Sequence, residues 1–162
     1  MLIQRLSDAF GAAAYPGDQA IVYDGGAAHL ECCATRQAFS GKCWQDLDLE
    51  FLMKHHAALR FFTPEGYRYY LPAYMRASIE HYDRSDLLPS LIIWSLIPPS
   101  IASPEMERFY ECVNMFTSTQ AEMVCLFLRF MLRFHGDDFS DGSIELALKG
   151  YWERFCAAED LH

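Results

Sequence analysis

The chain has 162 residues and a mass of 18.6 kDa, one domain's worth, and its 52% hydrophobic and 15% aromatic content excludes intrinsic disorder. Its 13 Lys and Arg face 22 Asp and Glu, for a net charge of −9 and a pI near 5.0. That balance argues against a nucleic-acid binder that works through phosphate contacts, and against docking on an anionic membrane through a basic patch.

Leu2, Ile3, Leu6, Phe10 and Ala13 follow helical spacing, so residues 2–13 read as an amphipathic helix. Tyr15-Pro16-Gly17-Asp18 ends it, and Asp24-Gly25-Gly26 marks a second turn. Between them Ala20–Tyr23 fits one short strand, for which 60–62 is the candidate partner. Residues 28–39 read as a helix ending at Ser40-Gly41, and Asp46 is placed to cap a helix over 47–58. Thr63-Pro64-Glu65 is the clearest start signal: an N-cap hydroxyl, a proline where no N–H is needed, and a carboxylate in the first turn. This helix is expected to reach Tyr82 with a kink at Pro72.

Residues 87–96 form a short apolar helix stopped by Pro98-Pro99, and Ser103-Pro104-Glu105 opens the next, to Met115. Thr117 and Gln120 fit a capping box. The helix after them is apolar almost all round from Ala121 to Phe134, which predicts the most buried element of the fold. A last helix over 143–157 follows the acidic connection Asp137-Asp138-Phe139-Ser140-Asp141-Gly142. The predicted fold is mainly α: a compact single-domain helical fold over residues 1–162 around a central apolar helix, with at most a small β element.

The N-terminus carries no apolar run of signal-peptide length, and Glu122, Arg129 and Arg133 interrupt the longest apolar stretch. Adjacent Cys32 and Cys33 are a poor start for a disulfide framework, and Cys125 reads as a small core residue. The expectation is a cytoplasmic protein with reduced thiols.

No spacing defines a reactive centre. Adjacent His55 and His56 point about 100° apart on a helix and lack the pattern of a zinc protease. His29 with Cys32 and Cys33 has ligand types but no second half. Counted from Asp137, the acidic connection places Phe139 and Leu148 where a calcium loop needs oxygen ligands. No metal and no cofactor is expected. The segment from Leu59 to Met75 is the densest in binding residue types, with Tyr67, Tyr70 and Tyr74 on one helix face and Arg68 and Tyr69 off it.

Within it, Thr63-Pro64-Glu65-Gly66-Tyr67-Arg68-Tyr69-Tyr70-Leu71-Pro72-Ala73-Tyr74 resembles the signature of an uncharacterised bacterial family of small, acidic, single-domain proteins. The likeness extends through Tyr15–Asp18, Phe39–Trp44, Phe116-Thr117…Gln120 and Tyr151-Trp152. It implies a helical domain of unknown function and supplies no catalytic residue. Such stand-alone acidic proteins are similar in style to immunity proteins, the antitoxin partners that neutralise a co-encoded toxin.

Charge supports that analogy. Residues 1–81 hold 7 basic and 9 acidic side chains, whereas residues 82–162 hold 6 and 13. A basic toxin would be steered onto this half. The expected contacts are Glu107 and Glu111, one helical turn apart, and Asp137, Asp138 and Asp141 in one loop, with Arg68 and Tyr69 as aromatic-basic additions. Glu105 is the further acidic candidate, turned away from the Glu107–Glu111 face. The alternatives are an enzyme with a dispersed site, in which Glu65, Arg68, Tyr69 and His81 line a cleft beside Pro72, and a structural domain with no catalytic role.

Overall fold

The computed structural model describes residues 1–24 and 29–157. Over them the start signals become eight α-helices: α1 (Leu2–Phe10), α2 (His29–Phe39), α3 (Leu49–Lys54), α4 (Pro64–Glu80), α5 (Leu88–Ser95), α6 (Met106–Val113), α7 (Ser118–His135) and α8 (Ser143–Gly150). The predicted turn at Gly25-Gly26 and the predicted helix start at Ala28 lie outside the described residues. The only β pairing among those described is one antiparallel bridge, Val22 with Phe62. It joins the two segments that the sequence nominates, through Tyr23 N–H to Phe61 O (3.2 Å) and Thr63 N–H to Ile21 O (3.0 Å).

Two helices form the centre. α1 packs on both α4 and α7; α5 and α6 cover α4, and α8 covers α7. One buried cluster runs through all of them, from Leu6 to Trp152. The apolar α7 is central as expected, but α4 is buried further. Eleven of its 17 residues are inaccessible, against nine of 18 in α7. The reason lies in its tyrosines, whose hydroxyls find acceptors inside the protein. Tyr70 Oη lies 3.0 Å from Phe39 O and 2.9 Å from Lys42 O, and Tyr74 donates to His55 O at 2.8 Å. A tyrosine whose hydroxyl is satisfied buries like a phenylalanine.

The caps at both central helices follow the sequence. Thr63 Oγ accepts from Gly66 N–H (3.0 Å) and donates to Ala20 O. Thr117 and Gln120 form both arms of their capping box. α4 runs unbroken through Pro72. Elsewhere the boundaries move. α1 stops at Phe10, and Asp48 rather than Asp46 caps α3, accepting from Phe51 N–H at 2.8 Å. The predicted 47–58 helix becomes α3 and a 3-10 turn over His56–Arg60. Residues 103–105 form a turn, so α6 starts at Met106. The last helix also divides, with α8 ending at Gly150 and a 3-10 turn running over Trp152–Phe155. A Cβ at Gly150 would stand 2.6 Å from Pro98, and Trp152 donates its indole N–H to Leu96 O at 2.8 Å. Contacts with the end of α5 therefore decide where the helix breaks.

The cysteines require a correction. Cys125 is not a free core thiol but is bonded to Cys156, with Cα atoms 5.8 Å apart. The segment after α8 folds back on α7 and brings residue 156 to Cys125, a pairing that spacing alone cannot reveal. Cys32, Cys33, Cys43 and Cys112 are free. No helix among the described residues is long and apolar enough to cross a membrane.

Candidate functional site

A cleft of about 510 Å³ lies over α4 between α5 and α6. The sequences of these two short helices explain how it opens. α5 turns Leu88, Pro89, Ile92 and Ile93 inward and leaves Trp94 53% exposed. α6 buries Phe109, Cys112 and Val113 and turns Glu107 and Glu111 to solvent. Tyr67 of α4 contributes to the lining from below, and His56 and Arg60 from the 3-10 turn close one end. Trp94 and Ser95 line one wall, and Glu105, Arg108 and Phe109 the other.

The polar groups of the lining are held in place. Ser95 Oγ donates to Ile92 O (2.7 Å), so the Tyr67 hydroxyl, 2.8 Å away, donates to Ser95. Arg108 reaches under the 3-10 turn and donates from one terminal nitrogen to Leu59 O (3.2 Å) and Phe62 O (3.1 Å), with its guanidinium 5.8 Å from the Tyr23 ring centre. Its Nε is buried without a partner. Burial pushes the Tyr67 hydroxyl well above the ordinary phenol range and the Cys112 thiol up to about 11. Both stay protonated at neutral pH. The lining therefore offers hydrogen-bond donors, apolar surface and cationic groups, and its buried thiol is not in the nucleophilic thiolate form.

The residues expected from the sequence are distributed over several places. Glu107 and Glu111 are exposed on α6 beside the cleft, and Glu105 lines it. Asp137 is exposed, Asp138 accepts from the Tyr82 hydroxyl (2.9 Å), and Asp141 accepts from Ser143 N–H (3.0 Å) at the start of α8. The Ser143 backbone N–H holds the Asp141 carboxyl below its usual range, with a lesser contribution from Trp94. Asp141 does not line the cleft. Arg68 and Tyr69 open instead onto a separate cleft of about 190 Å³, together with Glu65, Tyr15 and Pro16. Arg68 Nε donates to Gln120 Oε1 there (2.9 Å). His81 stands at the end of α4 and is not part of that lining.

The signature segments meet beside this second cleft. Tyr15 donates to Asp18, Gly41 N–H donates to Tyr15 Oη (2.8 Å), and the Tyr15 ring meets Tyr69 edge-on at 5.5 Å. With Tyr70 tied to Phe39 and Lys42, the segments at 15–18 and 39–44 are locked onto α4. The conspicuous tyrosines thus serve the architecture. Of the adjacent histidines, His55 packs on Phe51 and Phe39 while His56 lines the main cleft. His29 Nε2 lies 3.5 Å from Cys33 Sγ, and no group of three His, Cys, Asp or Glu among the described residues is arranged to hold a metal ion.

Sequence reasoning missed Trp94, Ser95, Arg60 and Arg108. They come from three separate elements with no shared motif, and only the exposed Trp94 within an apolar helix gave a usable signal.

The chain belongs to the family described as "Family of unknown function (DUF6714)", whose match covers residues 17–156. No curated protein and no solved structure matches it.

Proposed function

We propose that this chain is a protein-binding module that grips a basic partner over the exposed acidic face of α6, beside the cleft. One observation carries the reading: an open cleft lined by Trp94, Tyr67 and Arg108, residue types that dominate binding hot spots, borders the exposed carboxylates of Glu107 and Glu111. Asp137, Asp138 and Asp141, in the connection before α8, add negative charge outside the cleft lining. A net charge of −9 adds long-range attraction for a cationic surface. A toxin that acts on nucleic acid presents such a surface, and a chain that covers it would serve as its immunity protein. Arg68 and Tyr69 take no part in this reading, because they open onto the other cleft.

The test is photo-crosslinking in the producing cell from a benzophenone side chain placed at position 94 or 107, with position 31 on α2 as the control. The reading expects one basic protein captured from 94 and 107 and not from 31. Association of that protein with the purified chain should slow as salt rises and slow again in the double variant Glu107→Lys, Glu111→Lys. An acidic partner, or an on-rate indifferent to salt and to both substitutions, refutes it.

A further inference from the structure

The cleft lining has a charge opposite to that of the molecule. In a chain with nine more acidic than basic side chains, Arg60, Arg108 and His56 share the cleft with a single carboxylate, Glu105. Arg108 is the more informative of the two arginines. Two backbone carbonyls occupy one terminal nitrogen, while its Nε is buried and lacks an acceptor. That buried Nε is closed to the cleft; the other terminal nitrogen, which donates to neither carbonyl, is the donor left for an anion there. Trp94 on the facing wall, and Phe109 and Val113 on the same helix as Arg108, provide apolar surface. The Tyr67 hydroxyl donates to Ser95 and the Ser95 hydroxyl to Ile92 O, so neither demands a further acceptor from a ligand. A volume of about 510 Å³ is that of a small-molecule site.

We infer that the cleft binds a small organic carboxylate with a planar apolar body, its carboxylate towards Arg60 and Arg108 and its ring against Trp94 and Phe109. The inference rests on the cleft alone and stands whether or not a protein docks on its rim.

The test uses 2-naphthoate and its neutral counterpart 2-naphthamide, titrated into the full chain and followed by the Trp94 indole N–H and backbone amide resonances. Naphthoate should give saturable shifts at Trp94 and around residues 56–60 and 108–113. It should bind about tenfold more tightly than the amide, the usual increment for hydrogen bonds to a charged group. Arg60→Gln, at an exposed position, or Arg108→Lys should remove most of that preference while leaving the affinity for the amide in place. Unchanged dispersion of the other amide signals checks that each variant folds. Equal affinity for the two compounds, saturable shifts confined to another region, no saturable shift for naphthoate, or a preference that survives both substitutions overturns the inference. None of these results touches the crosslinking outcome, so the two readings fail separately.

Discussion

Gly66 provides the sharpest test of how the fold is assembled. It lies in the first turn of α4, where alanine would ordinarily be the better helix former by up to about 1 kcal/mol. Packing opposes that preference. A Cβ built on Gly66 would lie 2.1 Å from Ile21 O and 3.0 Å from Ile21 C. An ordinary carbon–oxygen contact is about 3.3 Å, so α4 would have to withdraw from the Ile21 segment by about 1 Å. If the backbone holds its place, overpacking costs about 1–3 kcal/mol. If it yields, the bonds from Thr63 N–H to Ile21 O and from Thr63 Oγ to Ala20 O are lost, about 1 kcal/mol each. Either route exceeds the propensity gain, so Gly66→Ala should destabilise the protein by about 1–2 kcal/mol. Urea unfolding should show a lower midpoint with an unchanged slope. Gly136→Ala is the control, because its Cβ would meet only Leu132 Cδ1 at an ordinary 3.5 Å and its backbone is already right-handed. That variant should be neutral or slightly stabilising. A Gly66→Ala midpoint equal to or above that of the parent chain would refute the close approach of α4 to residue 21.

Thr63→Ala should cost about 1–2 kcal/mol, because it removes the N-cap and the bond to Ala20, while Thr63→Ser should retain most of the stability in the same urea experiment. Under native, non-reducing conditions maleimide should label the exposed Cys43 rapidly and Cys112 slowly, since Cys112 is buried with its thiol pushed up to about 11; peptide mapping should recover Cys125 and Cys156 as one linked pair. Reducing that pair should lower stability by about 2–4 kcal/mol, as expected for a loop of this order of length. Desolvation, aided by Lys54 and Lys42, holds the His55 imidazole below its ordinary range. Its contribution to stability is therefore intact above the unfolded imidazole pKa of about 6.5 and is lost as pH falls through that value towards the folded one. His55→Gln should flatten the urea midpoint between about pH 7.5 and 5.

The sequence by itself determined the helical class, the starts of α4 and α7, and the short pairing of residues 20–23 with 60–62. Each of these is decided by groups within a few residues: a threonine oxygen reaches the N–H three positions on, a proline fits the first helical turn, and a short β-branched run between turns has few alternatives. Helix ends were less legible, because α8 breaks where Gly150 meets Pro98 and Trp152 meets Leu96, far away in the chain. The depth of α4 was hidden for a related reason. Four tyrosines and an arginine fit an interfacial helix as well as a packed one until the hydroxyls of Tyr70 and Tyr74 are seen to meet the carbonyls of Phe39, Lys42 and His55. Only the tertiary structure paired Cys125 with Cys156 and brought residues 56–60, 67, 91–99 and 105–113 around one cleft. Such a site is built from contacts between elements far apart in the chain, and they arise only once α5 and α6 have packed on α4. Local spacing carries no record of which outward-facing side chains will then share a wall.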